Sequence, residues 1–171
     1  LALAIRLRTY AALGPANLVR VGAYRLALRH KIHPVQRLRG ESSSGPFFGA
    51  RSSALPRVAM ARNEWREEGV WFGIHRFDAR SVPDWHANPF TGGRADASSP
   101  WFAIADFDPC IGDIKGIWEA SRFDWLLAMA QRAALGDTTE LARLNQWLEH
   151  WIGANPPYRG ANWKCGQEAS I

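Results

Sequence analysis

The hydrophobic positions of this chain follow helical spacing clearly only in its last third. Trp118, Ser121, Trp125 and Ala128 share one face there, and Ile117, Phe123, Leu126, Leu127 and Ala130 widen the apolar surface. Residues 115–135 contain no proline and end at Gly136, so the pattern predicts one largely buried helix with a glycine stop. Asp137-Thr138-Thr139-Glu140 has the form of a capping box with aspartate as the cap. Leu141, Leu144, Leu148, Trp151 and Ile152 then make a second stripe, opposed by Arg143, Gln146, Glu149 and His150. Gly153 is the expected end of that helix, and Pro156-Pro157 prevents it continuing. Two helices joined by so few residues form an antiparallel αα-hairpin, and a third helix is expected after Asn162.

Upstream the pattern loosens. Residues 1–39 read as one or two helical pieces, broken at Gly14-Pro15 and ended by His33-Pro34, because the residue before proline resists the α region. Ser42-Ser43-Ser44-Gly45-Pro46 reads as a linker or loop. Residues 47–110 are irregular; partial alternation from Val70 to Phe77 fits a single strand, and the stretch from Asp84 to Gly93 is a turn-rich loop. The expected fold is mainly α, in three segments: a basic helical leader at 1–40, a loop-rich segment at 41–110, and helical hairpins over 111–171. Periodicity fits a bundle, a solenoid and a closed ring of hairpins equally well.

Charge adds one feature. The chain carries +5 overall, but residues 1–40 hold eight Lys and Arg and no Asp or Glu, leaving −3 for the remainder. A basic leader suits nucleic acid, anionic lipid or an acidic polysaccharide, or it is a solvated helix face beside an acidic body. No apolar run approaches the roughly 18 residues of a bilayer span, so no transmembrane segment is expected. Leu1–Ile5 is too short for the apolar stretch of a signal peptide, and an upstream signal would leave the compartment open. Cys110 and Cys165 are too few and too far apart for a disulfide framework or a zinc site. Asp106, Asp108 and Asp113 do not match a calcium-loop spacing; turn and cap duties account for them. His75 and His86 make no recognisable metal pair. No metal or cofactor is expected.

The densest chemistry lies in the last seventeen residues. Asn155, Pro156, Pro157, Tyr158, Asn162, Trp163 and Glu168 place a rigid turn, amides, an indole and a carboxylate between one helix end and the next helix start. Crevices of that kind commonly bind ligands. The chain stops at Ile171 while the new helix is barely begun, from which a fragment of a longer protein is expected.

Three blocks within Trp101–Ile171, and a fourth upstream, carry a resemblance. They are Gly112-Asp113-Ile114-Lys115-Gly116-Ile117-Trp118-Glu119-Ala120-Ser121-Arg122; the Gly136-Asp137 hairpin followed by Leu148-Glu149-His150-Trp151-Ile152; Asn155-Pro156 with Gly160-Ala161-Asn162-Trp163 and Glu168; and upstream Asp84-Trp85-His86 with Asn88-Pro89. In order and spacing they resemble the toroid domain of the heparinase II/III family of polysaccharide lyases. The resemblance implies the opening helices of an (α/α) toroid, truncated before a C-terminal β-sandwich domain. It also implies an acidic, uronate-containing polysaccharide as substrate, β-elimination as the reaction, and a periplasmic or cell-envelope location. The full-length protein is then expected to be an enzyme, with this part alone inactive. Oligomeric state is left open, and nucleic acid is not an expected partner. A non-catalytic glycan-binding or envelope polysaccharide-assembly protein of the same fold is the alternative.

Elimination removes the C5 proton of a uronate and expels the C4 oxygen. Donors must meet the carboxylate as charge develops, with a base near C5 and an acid near the leaving oxygen. A neutral amide suits the donor role because it does not titrate, and the resemblance implies that role for Asn162. The family's tyrosine and histidine would lie downstream. Asn162 is equally a favoured helix N-cap. Trp163 reads as a sugar-stacking platform or as core. Glu168 reads as a cleft residue or as the partner of Lys164. Glu119 and Arg122, three apart, read as an ion pair, with Arg122 a candidate for a substrate carboxylate or sulfate. Tyr158 lies close in sequence to Asn162, and His86 is an acid/base candidate among possible cleft loops.

Overall fold

The computed structural model describes residues 2–50 and 65–164. The chain divides into two compact units, Leu1–Arg39 and Gly40–Ile171.

The first unit is two helices, α1 (Ala2–Leu13) and α2 (Pro15–Arg29). Gly14 breaks them apart at φ 75°, and Pro15 occupies the first turn of α2, where its missing N–H is no loss. The second helix stops before His33-Pro34 is reached. Lys31 turns left-handed (φ 58°), and the amides of His30, Lys31 and Ile32 fold back onto the carbonyls of Leu26, Leu28 and Ala27. A short 3-10 turn, Pro34–Arg37, follows, with His33 Nδ1 accepting from the Val35 amide. Among the described residues no helix is long and apolar enough to cross a membrane.

The second unit joins the loop-rich segment to the helical one around a large aromatic core, with a smaller cluster of Ala95, Ile114, Ile117 and Ala161 packed beside Trp118. Its β1 (Glu68–Trp71) and β2 (His75–Asp78) form an antiparallel hairpin in which Trp71 pairs with His75. The single strand expected over Val70–Phe77 is therefore bent in the middle. Phe72 and Gly73, both at positive φ (52° and 71°), make the turn. A second two-stranded sheet, β3 (Phe107–Asp108) and β4 (Gly112–Asp113), precedes the helices α3 (Lys115–Trp118), α4 (Asp124–Ala134) and α5 (Thr138–Ala154). The fold is mainly α with small sheets.

The helix expected over 115–135 is interrupted. After α3 the chain tightens into a 3-10 turn at Glu119–Arg122, and Phe123 is left-handed at φ 61°. That kink turns the Phe123 ring edge-on to Trp125 and Trp151, and the Trp125 indole donates to the Ala120 carbonyl 3.1 Å away. Aromatic packing outweighs helix continuity here.

The αα-hairpin is formed by α4 and α5. Gly136 (φ 102°) closes the first helix, and Asp137 Oδ1 caps the second by accepting from the amides of Thr139 and Glu140. Only half of the expected capping box forms, because Glu140 is buried and its carboxylate reaches Arg132 Nη2 at 2.6 Å instead of its cap residue. Gly153 is not the cap either; α5 runs on to Ala154, and Asn155 ends it.

Five of the nine tryptophans, Trp65, Trp71, Trp85, Trp125 and Trp147, are buried in this core. Most of the indole content is thus wall, not ligand platform. Trp147 lies at the centre of the buried face of α5 with Leu144, a position outside the stripe that the sequence marks. Arg143 ties the hairpin to the loop segment by donating to the Trp65 carbonyl (2.7 Å) and the Ala79 carbonyl.

Candidate functional site

The site builds outward from the end of α5. Asn155 is buried at the helix terminus and donates its amide to the Trp151 carbonyl at 2.8 Å. That bond can run in one direction only, since a carbonyl accepts, so Asn155 Oδ1 must face the other way. It receives Asn162 Nδ2 at 2.7 Å. The same Nδ2 donates to the Trp85 carbonyl at 3.0 Å, which fixes the orientation of the second amide too. Asn162 is 2% exposed, and its Oδ1 has no hydrogen-bond partner among the described residues.

Two expectations for Asn162 change accordingly. It lies inside a 3-10 turn, Ala161–Trp163, whose cap position is Gly160, and its Oδ1 caps no amide among the described residues; the helix expected after it lies outside them. Nor is its NH₂ turned toward a groove. Both hydrogens are committed to acceptors inside the protein, where a lost donor is costly. In this conformation Asn162 is a positioning residue that locks the loop of Trp85 against the end of α5.

The neighbours are similarly committed. Trp163, half-buried, donates its indole N–H to the Asn155 carbonyl at 3.0 Å and packs its ring 5.4 Å from Tyr158. Tyr158 is held at φ 65° in the turn. His86 is buried beside Gly160, with Nε2 2.9 Å from the Ala154 carbonyl. Since a carbonyl only accepts, Nε2 carries a proton; Nδ1 has no partner among the described residues. His86 is walled off from solvent, which removes the cleft position that an acid/base role would need. Glu168 lies outside the described residues. Among the described residues, Lys164 Nζ pairs with Asp106 Oδ1 at 3.1 Å.

Glu119 and Arg122 form the expected ion pair, Nη1 to Oε2 at 3.2 Å. Glu119 also anchors backbone. Its Oε1 accepts from the Phe72 amide at 2.7 Å, and the buried side chain so holds the tip of the β1–β2 hairpin. Arg122 stays about half exposed, with its guanidinium carbon 5.9 Å from the Phe72 ring centre. Asp108 and Asp113 serve turns, accepting from the amides of Cys110, Ile111 and Lys115.

Two hubs are not apparent from the sequence, which places Asn155 in a turn, Asn88 in a loop and both in the resembling blocks but gives neither a role of its own. Asn88 is buried, donates to the carbonyls of Ile111 (2.9 Å) and Asp113 (3.2 Å), and accepts from the Phe90 amide (3.0 Å). The available signal is asparagine followed by proline in both places, a pairing that favours a turn with its side chain bonded to backbone.

All four blocks therefore interlock. The Asp84-Trp85-His86 loop meets Asn162 through the Trp85 carbonyl, and it meets His150 of α5 through the Trp85 indole at 2.8 Å. Asn88 binds the loop before α3. The Trp118 indole donates to the Ala161 carbonyl (2.8 Å), and the Trp151 indole to Ser121 Oγ (2.9 Å). Comparison of the chain with protein-family models, with curated proteins and with solved structures gives no match.

Proposed function

We propose that this chain is the opening helical part of a polysaccharide lyase of the heparinase II/III type, binding an acidic, uronate-containing glycan that the full-length protein cleaves by β-elimination. One observation carries the reading. The four sequence blocks that resemble the family, spread from Asp84 to Trp163, are each hydrogen-bonded to another of the four, mostly through indole or amide donors. Residues that interlock in this way form one structural unit, which supports reading the four blocks together. An (α/α) toroid, of which α4 and α5 would be an early hairpin, is part of the same proposal.

A second reading is favoured by a specific observation. The Asn162 amide is spent on Trp85 and Asn155, so a direct donor role in catalysis calls for at least one of these bonds to open. A non-catalytic glycan-binding or envelope polysaccharide-assembly protein needs no such opening.

The test is elimination itself. The full-length protein, incubated with a panel of uronate polymers, is expected to generate the ultraviolet absorbance of the unsaturated product. A donor role for Asn162 predicts a loss of roughly 10²–10³-fold in turnover for Asn162→Ala. Glycan binding with no product across the panel removes the lyase and leaves the binding protein.

A further inference from the structure

The first unit buries none of its described side chains; each is exposed or half-buried. Nine of the fifteen large apolar side chains exposed among the described residues belong to it. They are mixed along the same helices with eight cations and no carboxylate. Apolar surface on that scale, set among charge of one sign, marks a place of interaction.

Helix α2 divides its apolar residues between two faces. On one face the Tyr24 ring meets His33 edge-on at 4.8 Å, and the Leu28 carbonyl accepts from Gln36 Nε2 at 2.9 Å. The turn that follows the helix uses this face. On the other, Val19, Ala23 and Leu26 stand at i, i+4 and i+7, which makes a single stripe. Val19 is 72% exposed and Leu26 58%. At about 3.6 residues per turn, Arg20 falls on one flank of the stripe, and Arg25 and Arg29 fall on the other. All three arginines are exposed, and their own unit holds no carboxylate to pair with them.

We propose that α2 lies on an anionic lipid surface, with Val19 and Leu26 at the acyl boundary and the three arginines reaching headgroups on either side. Arginine stems are long and apolar enough to cover such a boundary while the guanidinium stays among charged groups. A helix of 15 residues suits the plane of the interface. Other polyanions match the charge but not the pattern. Single-stranded nucleic acid is held by stacking on aromatic rings. The first forty residues have no Trp or Phe and only two Tyr, one of them against His33. An acidic polysaccharide would meet the cations and leave Val19 and Leu26 in water. This inference stands on the first unit alone and does not rest on the lyase reading.

Sedimentation of the full chain with lipid vesicles tests it. Vesicles of phosphatidylcholine mixed with phosphatidylglycerol are expected to bind the chain. Vesicles of phosphatidylcholine alone should bind about tenfold or more weakly, since each cation near an anionic leaflet contributes about fivefold. Val19→Gln with Leu26→Gln keeps the charge and should weaken binding to the anionic vesicles about tenfold. Arg20→Gln with Arg25→Gln and Arg29→Gln keeps the stripe and should weaken it on the order of a hundredfold. Circular dichroism checks that both variants stay helical; Val19→Ala with Leu26→Ala, better helix formers, replaces the first pair if glutamine lowers the helix content. Anionic-vesicle binding unchanged by loss of Val19 and Leu26 overturns insertion of the stripe. Equal binding to the two vesicle types overturns the part given to the arginines. Failure to bind the anionic vesicles overturns the proposal outright, and binding of poly(U) or polygalacturonate in their place assigns the basic helices to a soluble polyanion.

Discussion

Asn162 Nδ2 lies 2.7 Å from Asn155 Oδ1, and this amide pair joins the end of α5 to the turn that follows it. Each amide is oriented by a backbone carbonyl on its far side, Trp151 for Asn155 and Trp85 for Asn162. The pair is buried, so neither partner can be replaced by water without rearrangement.

Asn162→Ala should therefore destabilise the protein by about 1–3 kcal/mol, the cost of leaving buried acceptors without their donor. Asn162→Asp should cost more at neutral pH, because a carboxylate oxygen would then face Asn155 Oδ1 and the Trp85 carbonyl. Urea denaturation followed by tryptophan fluorescence measures both. A double-mutant cycle with Asn155→Ala should show a coupling of about 0.5–3 kcal/mol; additive losses would mean the two amides act separately.

Glu140 lies buried between two guanidiniums, 2.6 Å from Arg132 Nη2 and 3.4 Å from Arg143 Nη1. Burial pushes the Arg143 guanidinium below its ordinary value, and the Glu140 carboxylate opposes that shift. Glu140→Ala should cost about 3–5 kcal/mol, as expected when one partner of a buried ion pair is removed. Replacing both members, Arg132→Met with Glu140→Leu, should cost markedly less. Equal losses for the single and double variants in thermal unfolding would contradict this account.

Gly116 faces Asn88 so closely that a Cβ would lie 2.6 Å from Asn88 Oδ1. The Asn88 side chain is held by three hydrogen bonds and has no room to withdraw. Gly116→Ala should therefore cost about 1–3 kcal/mol by overpacking, although alanine is the better helix former. Gly153→Ala, where nothing lies within 4 Å, should be neutral or stabilising. Comparison of the two midpoints in urea separates packing from propensity.

The Asp96 carboxylate accepts from the Ser98 amide and from the hydroxyls of Ser98 and Ser99, which holds it at about 2 against an ordinary 3.8. A depressed carboxylate contributes stability that is complete above the unfolded value and is lost as pH falls through the folded one. The contribution should therefore vanish between about pH 4 and pH 2. The carboxyl ¹³C resonance of Asp96 should titrate near 2, and Ser98→Ala with Ser99→Ala should bring the midpoint back toward 3.8. The turn matters to the site because the Ser99 carbonyl accepts from the Gly160 amide, two residues before Asn162.

Much of the fold is legible in the chain. The αα-hairpin, its glycine stop and its aspartate cap follow from local rules that need no tertiary contact. The break at Gly14-Pro15 and the Glu119–Arg122 pair are local in the same sense. The interruption at Phe123 and the bend at Phe72 are not legible. Each places an aromatic residue at positive φ, which local preference disfavours and which distant partners, Trp151 in one case and Glu119 in the other, impose.

The candidate site divides in the same way. Spacing alone determined that an amide, an indole and a turn gather after α5, because proline and glycine punctuate the backbone wherever they occur. Tertiary structure decided what the amide does. A hydrogen bond has a direction, and the direction of the Asn162 side chain depends on Trp85, 77 residues earlier in the chain. Periodicity records which face of a helix is apolar; it carries no record of which carbonyl will be waiting when that helix ends.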